Sequence, residues 1–240
     1  MNDLISKRYL EKDYLDNNPT WDMEDSLWKA SKVTEILKRN NLTPSEFCEV
    51  GCGAGRVLSS LKNDFPNANY SGYDIAPDAE QFWRSLRLLE IELYVGDFFL
   101  LNNKKREVVM LLDVLEHVPD PHQFLVNIKP SANFLVIHFP LDLSALSVLR
   151  ETPLLHVRRK VGHIHSFTKG LALELLDECG LEVIDWQYTE AAFSAPQRKL
   201  KSKIFSWFRW FFYLFNKDIG VRVLGGETLM VLAKAKQSSL

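Results

Sequence analysis

Residues 49–56 read Glu-Val-Gly-Cys-Gly-Ala-Gly-Arg, a glycine-rich turn between an apolar run and a helical pattern. Glycines at alternate positions let the backbone turn sharply and approach a ligand closely. The first N–H groups of the helix that follows favour a negative group on that ligand. The stretch therefore predicts a strand, a ligand-binding turn and a helix, the opening unit of an α/β fold.

The glycine spacing separates two kinds of cofactor. The dinucleotide fingerprint Gly-x-Gly-x-x-Gly needs its third glycine at position 56, which is Arg56 here. Gly55 comes one residue early. Together with the lack of an identifiable hydride-transfer set in the sequence, this spacing disfavours an NAD-dependent oxidoreductase.

Three acidic residues follow apolar runs further along the chain. Residues 69–75 read as a second strand ending at Asp74, about 20 residues beyond the glycine turn, where a carboxylate is expected to bind ribose hydroxyls. Residues 91–98 read as a third strand ending in Gly96-Asp97, and residues 108–118 contain a buried-strand run that Asp113 closes. Each acid alone is weak evidence, because strand-to-helix loops often carry an acid that caps the next helix.

The four motifs in this order resemble those of the class I S-adenosylmethionine (SAM) dependent methyltransferases, over roughly residues 47–190 plus a final strand. The resemblance implies SAM as the cofactor and places Gly96-Asp97 beside the adenine, with Phe98 and Ile75 at its ring faces. Glu49 is a charge within a predicted strand, so it needs a partner such as the ammonium group of the ligand or a backbone donor. The predicted cofactor-binding residues are Glu49, Gly51, Gly53, Gly55, Asp74, Ile75, Gly96, Asp97, Phe98, Asp113 and Leu115.

Histidines are the candidate bases. Methyl transfer from a sulfonium is a direct displacement, so only some acceptors, such as hydroxyls, need a base. His163 is the first candidate, followed by His138 and His165, although an extended 163–165 segment turns only one of its two histidines towards the cleft. The His-x-His pair with Asp142 raises a metal site, but no further ligand cluster supports it, and we expect no metal. His117 is expected to orient its loop.

The resemblance implies a Rossmann-like three-layer sandwich with a seven-stranded, mostly parallel sheet whose last strand is antiparallel. The predicted strands are residues 47–51, 69–75, 91–97, 108–113, 133–139, 181–190 and 227–235. A helix is predicted over 23–39, with Leu27, Trp28, Val33, Ile36 and Leu37 on its apolar side. Another is predicted over 168–179, with Thr168 as N-cap and Gly180 as its end.

We predict one domain over 1–240, with an N-terminal helical cap over 1–46 and an aromatic and basic insertion over 191–226 between the last two strands. The insertion contains Ile204-Phe-Ser-Trp-Phe-Arg-Trp-Phe-Phe-Tyr-Leu-Phe215, preceded by four basic residues. A helix there is too short to cross a bilayer. Three roles remain open for the insertion: a lid over the active site, a peripheral membrane contact through 203–215, and a dimer contact.

Composition agrees with a globular enzyme. The 240 residues are 46% hydrophobic with a net charge of −2, which divides into −7 over residues 1–149 and +5 over residues 150–240. The three cysteines show no disulfide or metal spacing, which favours a reducing cytoplasm. The N-terminus lacks the apolar stretch of a secretory signal. Without an interleaved basic and aromatic platform outside the insertion, nucleic acid is not the expected partner.

These observations predict methyl transfer from SAM to a small-molecule or glycan-type acceptor, at oxygen. The alternative is a non-catalytic methyltransferase-like protein that acts through its insertion at a membrane or partner surface.

Overall fold

The structure is a computed structural model that describes residues 19–21, 23–196, 210–213 and 215–236. The predicted cap over 1–46 is therefore described from residue 19 onwards, and most of the aromatic run in the insertion lies outside the described residues. The domain boundaries at 46, 191 and 226 stay predictions.

Seven strands form a single sheet. They are β1 (Glu46–Val50), β2 (Asn69–Asp74), β3 (Glu92–Val95), β4 (Arg106–Leu112), β5 (Ala132–Pro140), β6 (Leu181–Tyr188) and β7 (Thr228–Ala235). Their order across the sheet is β3-β2-β1-β4-β5-β7-β6. Strands β1 to β5 pair in parallel, and β7 pairs antiparallel with both β5 and β6. The predicted fold class, including the antiparallel last strand, is confirmed, and the strand ends lie within two residues of the predicted ones.

Helices cover both faces of the sheet. They are α1 (Ser26–Arg39), α2 (Arg56–Leu61), α3 (Ala79–Ser85), α4 (Phe98–Leu101), α5 (Pro121–Ile128), α6 (Ala145–Arg150), α7 (Thr152–Lys160), α8 (Lys169–Glu178), α9 (Ala191–Ser194) and α10 (Lys217–Leu224). One core joins the sheet to α1, α2 and α3, and a second joins the opposite face to α4, α5, α8 and α10. The three-layer sandwich follows from these two cores.

Strand residues alternate between the two cores. In β4, Val109 and Leu111 belong to one core, whereas Val108, Met110 and Leu112 belong to the other. This period of two lets an all-apolar strand fill both layers at once. Buried runs such as 108–112 were readable in the sequence for this reason.

The predicted helices form with small differences. A 3₁₀ turn over Met23–Asp25 precedes α1, and Leu27 is 63% exposed, so its expected place on the apolar side is wrong. Val33, Ile36 and Leu37 are fully buried as predicted. The Thr168 hydroxyl accepts a hydrogen bond from the Leu171 N–H at 3.2 Å, which confirms the N-cap of α8.

The insertion begins with α9 and ends with α10, which Asn216 caps by accepting from the Ile219 N–H. Trp210, Phe211 and Phe215 expose more than half of their surface. Among the described residues, no helix combines the length and apolar character needed to cross a membrane.

The glycine turn yields a matched pair of substitutions. Gly51 and Gly53 both have left-handed φ angles, of +75° and +51°. A Cβ at Gly51 would lie 2.8 Å from Val114 Cγ2, whereas one at Gly53 would lie 3.5 Å from its nearest neighbour, Trp21. We expect Gly53→Ala to lower the free energy of unfolding by about 1 kcal/mol from backbone strain, and Gly51→Ala by about 2 kcal/mol or more. Urea unfolding measures both, and equal losses would contradict the predicted clash.

Candidate active site

A cavity of about 460 Å³ opens at the carboxyl ends of β1 and β4. These neighbouring strands are where the strand order reverses direction, the usual ligand position in doubly wound sheets. The cavity wall includes the glycine turn and the ends of β2 and β3. Of the predicted site residues, those in the wall are Glu49, Gly51, Gly53, Asp74, Ile75, Gly96, Asp97, Phe98, Asp113, His138 and His163.

Asp74 is fixed by the glycine turn itself. Its Oδ2 accepts from the Gly53 N–H at 2.8 Å, and its Oδ1 accepts from the Ala76 N–H at 2.9 Å. Burial raises the pKa of Asp74, and the two backbone donors oppose that shift. The carboxyl group is thus oriented before any ligand binds.

Glu49 is a buried carboxyl group without a full set of partners. It is 3% exposed, and its Oε2 has no hydrogen-bond partner among the described residues. Burial raises its pKa to about 8, helped by the charges of Asp74 and Asp113 and opposed by Lys29. An unsatisfied buried acid at a cavity wall fits a ligand that brings a positive charge, such as the ammonium group of SAM.

Asp113 connects the first helix to the sheet. Its Oδ2 lies 2.7 Å from Lys29 Nζ, and its Oδ1 lies 2.6 Å from His138 Nδ1. Burial disfavours the carboxylate, but His138 and Lys29 outweigh it and hold the pKa of Asp113 well below its usual range. Asp113 adopts a left-handed φ of +58°, which is uncommon for a residue with a side chain. The next helix, α5, is instead capped by Asp120, whose side chain accepts from the Gln123 N–H at 2.9 Å.

His138 is held at both ring nitrogens. Nδ1 lies 2.6 Å from Asp113 Oδ1, and Nε2 lies 2.7 Å from Thr228 Oγ1. The residue is 1% exposed. This geometry favours an orienting role over that of a base, and the predicted catalytic role of His138 is not supported by it.

His163 and His165 point to different places. His163 is in the cavity wall, and its Nδ1 lies 2.6 Å from Asp142 Oδ2. His165 is outside the wall, where its Nε2 lies 3.0 Å from the Val118 carbonyl oxygen. Only one of the pair faces the cleft, as the extended segment predicts, so His165 is a poor candidate base.

Two predicted cofactor residues also lie outside the wall. Leu115 is fully buried in the core beneath the cavity. Gly55 precedes α2 with a φ of +72°, and a Cβ there would lie 2.8 Å from Leu88 Cδ1. Both positions serve packing and the turn rather than the cavity surface.

The segment that follows β3 contributes a different set of contacts. The Asp97 carboxylate accepts from the Phe99 N–H at 2.8 Å, so it caps α4 while lining the cavity. Phe98 is 2% exposed and packs edge-on against Tyr73, whereas Ile75 is 42% exposed. Their assignment to the faces of an adenine stays a prediction.

The structure adds to the site two residues that the sequence did not predict, Lys29 and Glu116. Lys29 lies in the cavity wall and shares the buried side of α1 with Val33 and Ile36. A charge at that helical spacing was the available signal. Glu116 is fully buried, and neither carboxyl oxygen has a hydrogen-bond partner among the described residues. Burial and the charges of Asp113 and Asp142 raise the pKa of Glu116 well above its usual range.

The raised pKa of Glu49 predicts a pH-dependent stability. In the unfolded chain this carboxyl loses its proton near pH 4.5, whereas the folded protein retains it up to about pH 8. The contribution of Glu49 to stability therefore falls as the pH rises through this window. We expect the free energy of unfolding of Glu49→Gln, relative to wild type, to rise by about 1 kcal/mol or more between pH 5 and about pH 8.

Denaturant unfolding at a series of pH values measures this difference. The exposed Glu174→Gln variant is the control. A pH-independent difference between Glu49→Gln and wild type would show that Glu49 ionises normally in the folded protein.

Residues 25–185 match the family model described as a methyltransferase domain. Among curated proteins, the chain is 28% identical over 102 residues to a ubiquinone biosynthesis O-methyltransferase of Glaesserella parasuis serovar 5, covering 38% of this chain and 42% of that protein. It is 26% identical over 111 residues to a malonyl-[acyl-carrier protein] O-methyltransferase of Anoxybacillus flavithermus, covering 42% of each. The matched region is thus less than half the length of either relative.

Solved structures share the fold at low identity. The plantazolicin methyltransferase BpumL, in complex with a monoazolic desmethylPZN analog and SAH, superimposes with a TM-score of 0.65 at 15% identity, covering 98% of this chain and 94% of that one. The mitomycin 7-O-methyltransferase MmcR superimposes with a TM-score of 0.57 at 19% identity, covering 88% and 54%.

Proposed function

Because the chain belongs to the methyltransferase domain family, we propose that it transfers the methyl group of SAM to an oxygen atom of a small-molecule or saccharide acceptor. The observation that carries this proposal is His163, which lies in the cavity wall with its Nδ1 2.6 Å from Asp142 Oδ2.

Family membership confirms the resemblance drawn from the four motifs, with SAM as the cofactor of the family. It also disfavours the alternative of a non-catalytic protein acting through its insertion. The chain spans 42% of each curated relative. The identity of the acceptor and of its reacting atom is therefore part of the proposal.

The cofactor end of the cavity is rich in acids. Glu49 offers an unsatisfied carboxyl oxygen to the ammonium group. Asp74, whose orientation by two backbone donors supports this role, accepts from the ribose hydroxyls in this proposal. When bound, SAM would supply a methyl group whose bond to the positively charged sulfur breaks as the acceptor oxygen bonds to the methyl carbon. The contribution of the chain is to position the two reactants.

The acceptor end is defined by His163 and His117, both in the cavity wall. A carboxylate only accepts hydrogen bonds, so the contact with Asp142 places the proton of His163 on Nδ1 and the lone pair on Nε2. That nitrogen is suited to accept the proton of an acceptor hydroxyl. The names of both curated relatives contain O-methyltransferase, which supports oxygen as the acceptor atom.

The start of the insertion supports a lid. Ala191 and Ala195 line the cavity, and the Trp28 indole donates to Ser194 Oγ at 3.1 Å. These contacts join α1 to α9 over the site. Peripheral membrane contact through 203–215 is the alternative role, favoured by the exposed rings of Trp210 and Phe211. Liposome co-sedimentation with and without residues 203–215 separates the two, because a lid leaves partitioning unchanged.

Asp74→Asn tests the cofactor site. The substitution removes a carboxylate acceptor from the ribose position, and we expect affinity for S-adenosylhomocysteine to fall by about 1–3 kcal/mol. Calorimetric titration measures the loss, and a thermal melt checks that the glycine turn survives. Unchanged affinity in a folded variant would refute the ribose assignment.

His163→Gln tests the acceptor site. We expect turnover to fall by about 100-fold or more, because the nitrogen that accepts the proton of the acceptor hydroxyl is lost. Affinity for S-adenosylhomocysteine should stay within about twofold, since Glu49 and Asp74 are untouched. The exposed His156→Gln is the matched control. Wild-type turnover by His163→Gln with a hydroxylated acceptor would remove this residue from the reaction.

A further inference from the structure

Three side chains of metal-binding type meet beside the acceptor end of the cavity. Glu116, His117 and His163 each offer a ligand atom, and these atoms lie within 4.8 Å of one another. Both histidines belong to the cavity wall, and Glu116 lies fully buried behind them. The set differs from the His-x-His pair of the sequence, because His165 is directed away.

The ring orientations suit a shared ligand. Nδ1 of His117 lies 3.2 Å from the Gly162 carbonyl oxygen, and Nδ1 of His163 lies 2.6 Å from Asp142 Oδ2. Because both partners are acceptors, each Nδ1 carries the proton and each Nε2 keeps its lone pair. Hydrogen bonds of this kind to a carboxylate or carbonyl are typical behind metal-ligating histidines.

Glu116 provides the second, independent observation. Its side chain is 0% exposed, and neither oxygen has a hydrogen-bond partner among the described residues. Glu116 Oε1 lies 3.9 Å from His117 Nε2, beyond hydrogen-bond distance. A buried carboxyl group left in this state is costly unless a proton or a cation satisfies it.

The backbone holds the three side chains together. The Ile164 N–H donates to the Glu116 carbonyl oxygen at 2.8 Å, and the His165 N–H donates to the same oxygen at 3.2 Å. The ring of His165 contacts the Val118 carbonyl oxygen at 3.0 Å. The two segments that supply the ligands are thus cross-linked on both sides of the cluster, which limits how far the ligands move apart.

We propose that Glu116, His117 and His163 bind a divalent transition-metal cation, Zn²⁺ in the first instance, with an open position towards the cavity. Two histidines and one glutamate, with a water or substrate as the fourth ligand, are an established catalytic zinc set. Asp142 and the Gly162 carbonyl orient the two rings. The cation neutralises Glu116, which lies in the field of Asp113 and Asp142.

The effect of the cation on methyl transfer rests on the proposed function. A hydroxyl of the acceptor would occupy the open position, where the cation lowers its pKa and the proton passes to solvent. The Nε2 lone pair of His163 is then held by the metal. The role of His163 changes from the base predicted from sequence to a ligand.

Titration of the untagged protein with Co²⁺ tests the site, because Co²⁺ replaces Zn²⁺ and has visible absorption. We expect one Co²⁺ per chain, bound with the intense bands of a four- or five-coordinate ion. Glu116→Gln, His117→Gln and His163→Gln should each weaken binding by more than about 100-fold, and Asp142→Asn by about 10–100-fold. His156→Gln, on the exposed side of α7, should bind as wild type does.

Three results would overturn the site: no Co²⁺ binding by the wild type, binding that all three ligand variants retain, or thiolate charge-transfer bands, which would assign the ion to cysteine. Titration of the EDTA-treated wild type with S-adenosylhomocysteine separates this outcome from the proposed function. Cofactor binding without Co²⁺ binding removes the metal site and leaves methyl transfer in place, whereas loss of cofactor binding removes the proposed function itself.

Discussion

The contact between Lys29, Asp113 and His138 is the interaction on which the site depends. It joins the first helix to the ends of β4 and β5, and Thr228 extends it to β7. Removing one member of such a buried network leaves the others without partners, and the cost is larger than the value of the contact itself. The cavity floor is thereby held in one arrangement, and Asp113 is kept in its left-handed conformation.

A second constraint is the concentration of acids at one edge of the sheet. Glu49, Asp74, Asp113 and Glu116 all lie at or just beyond the carboxyl ends of β1, β2 and β4. Burial raises the pKa values of Glu49, Asp74 and Glu116, and neighbouring carboxylates add to the shift at Glu49 and Glu116. Of the four, only the pKa of Asp113 is lowered, because His138 and Lys29 lie against it. Such a cluster of buried acids favours the binding of positively charged groups. In the proposed function the ammonium group of SAM supplies positive charge at Glu49, and in the proposed metal site a divalent cation supplies it at Glu116.

The sequence predicted the features that are encoded locally. The glycine turn, the buried strands and the cap of α8 each depend on residues within one or two turns of chain, so short-range patterns identify them. The family motifs then supplied the strand order and the antiparallel β7, which local patterns do not specify. Glu49 and Asp74 were placed correctly at the cavity because acids at the ends of adjacent parallel strands share one edge of the sheet.

The sequence by itself thus determined the fold, the family and the cofactor edge. Tertiary structure decided which side chains face that edge. Leu27, expected on the buried side of α1, is exposed, and Leu115, expected at the cofactor, is buried in the core, because the packing of α1 and of the loop after β4 selects the buried face. The choice of His163 over His165, and the meeting of His163 with Glu116 and His117, depend on backbone bonds between segments about 47 residues apart. No local pattern records such a contact, because it exists only once the sheet has brought the two loops together.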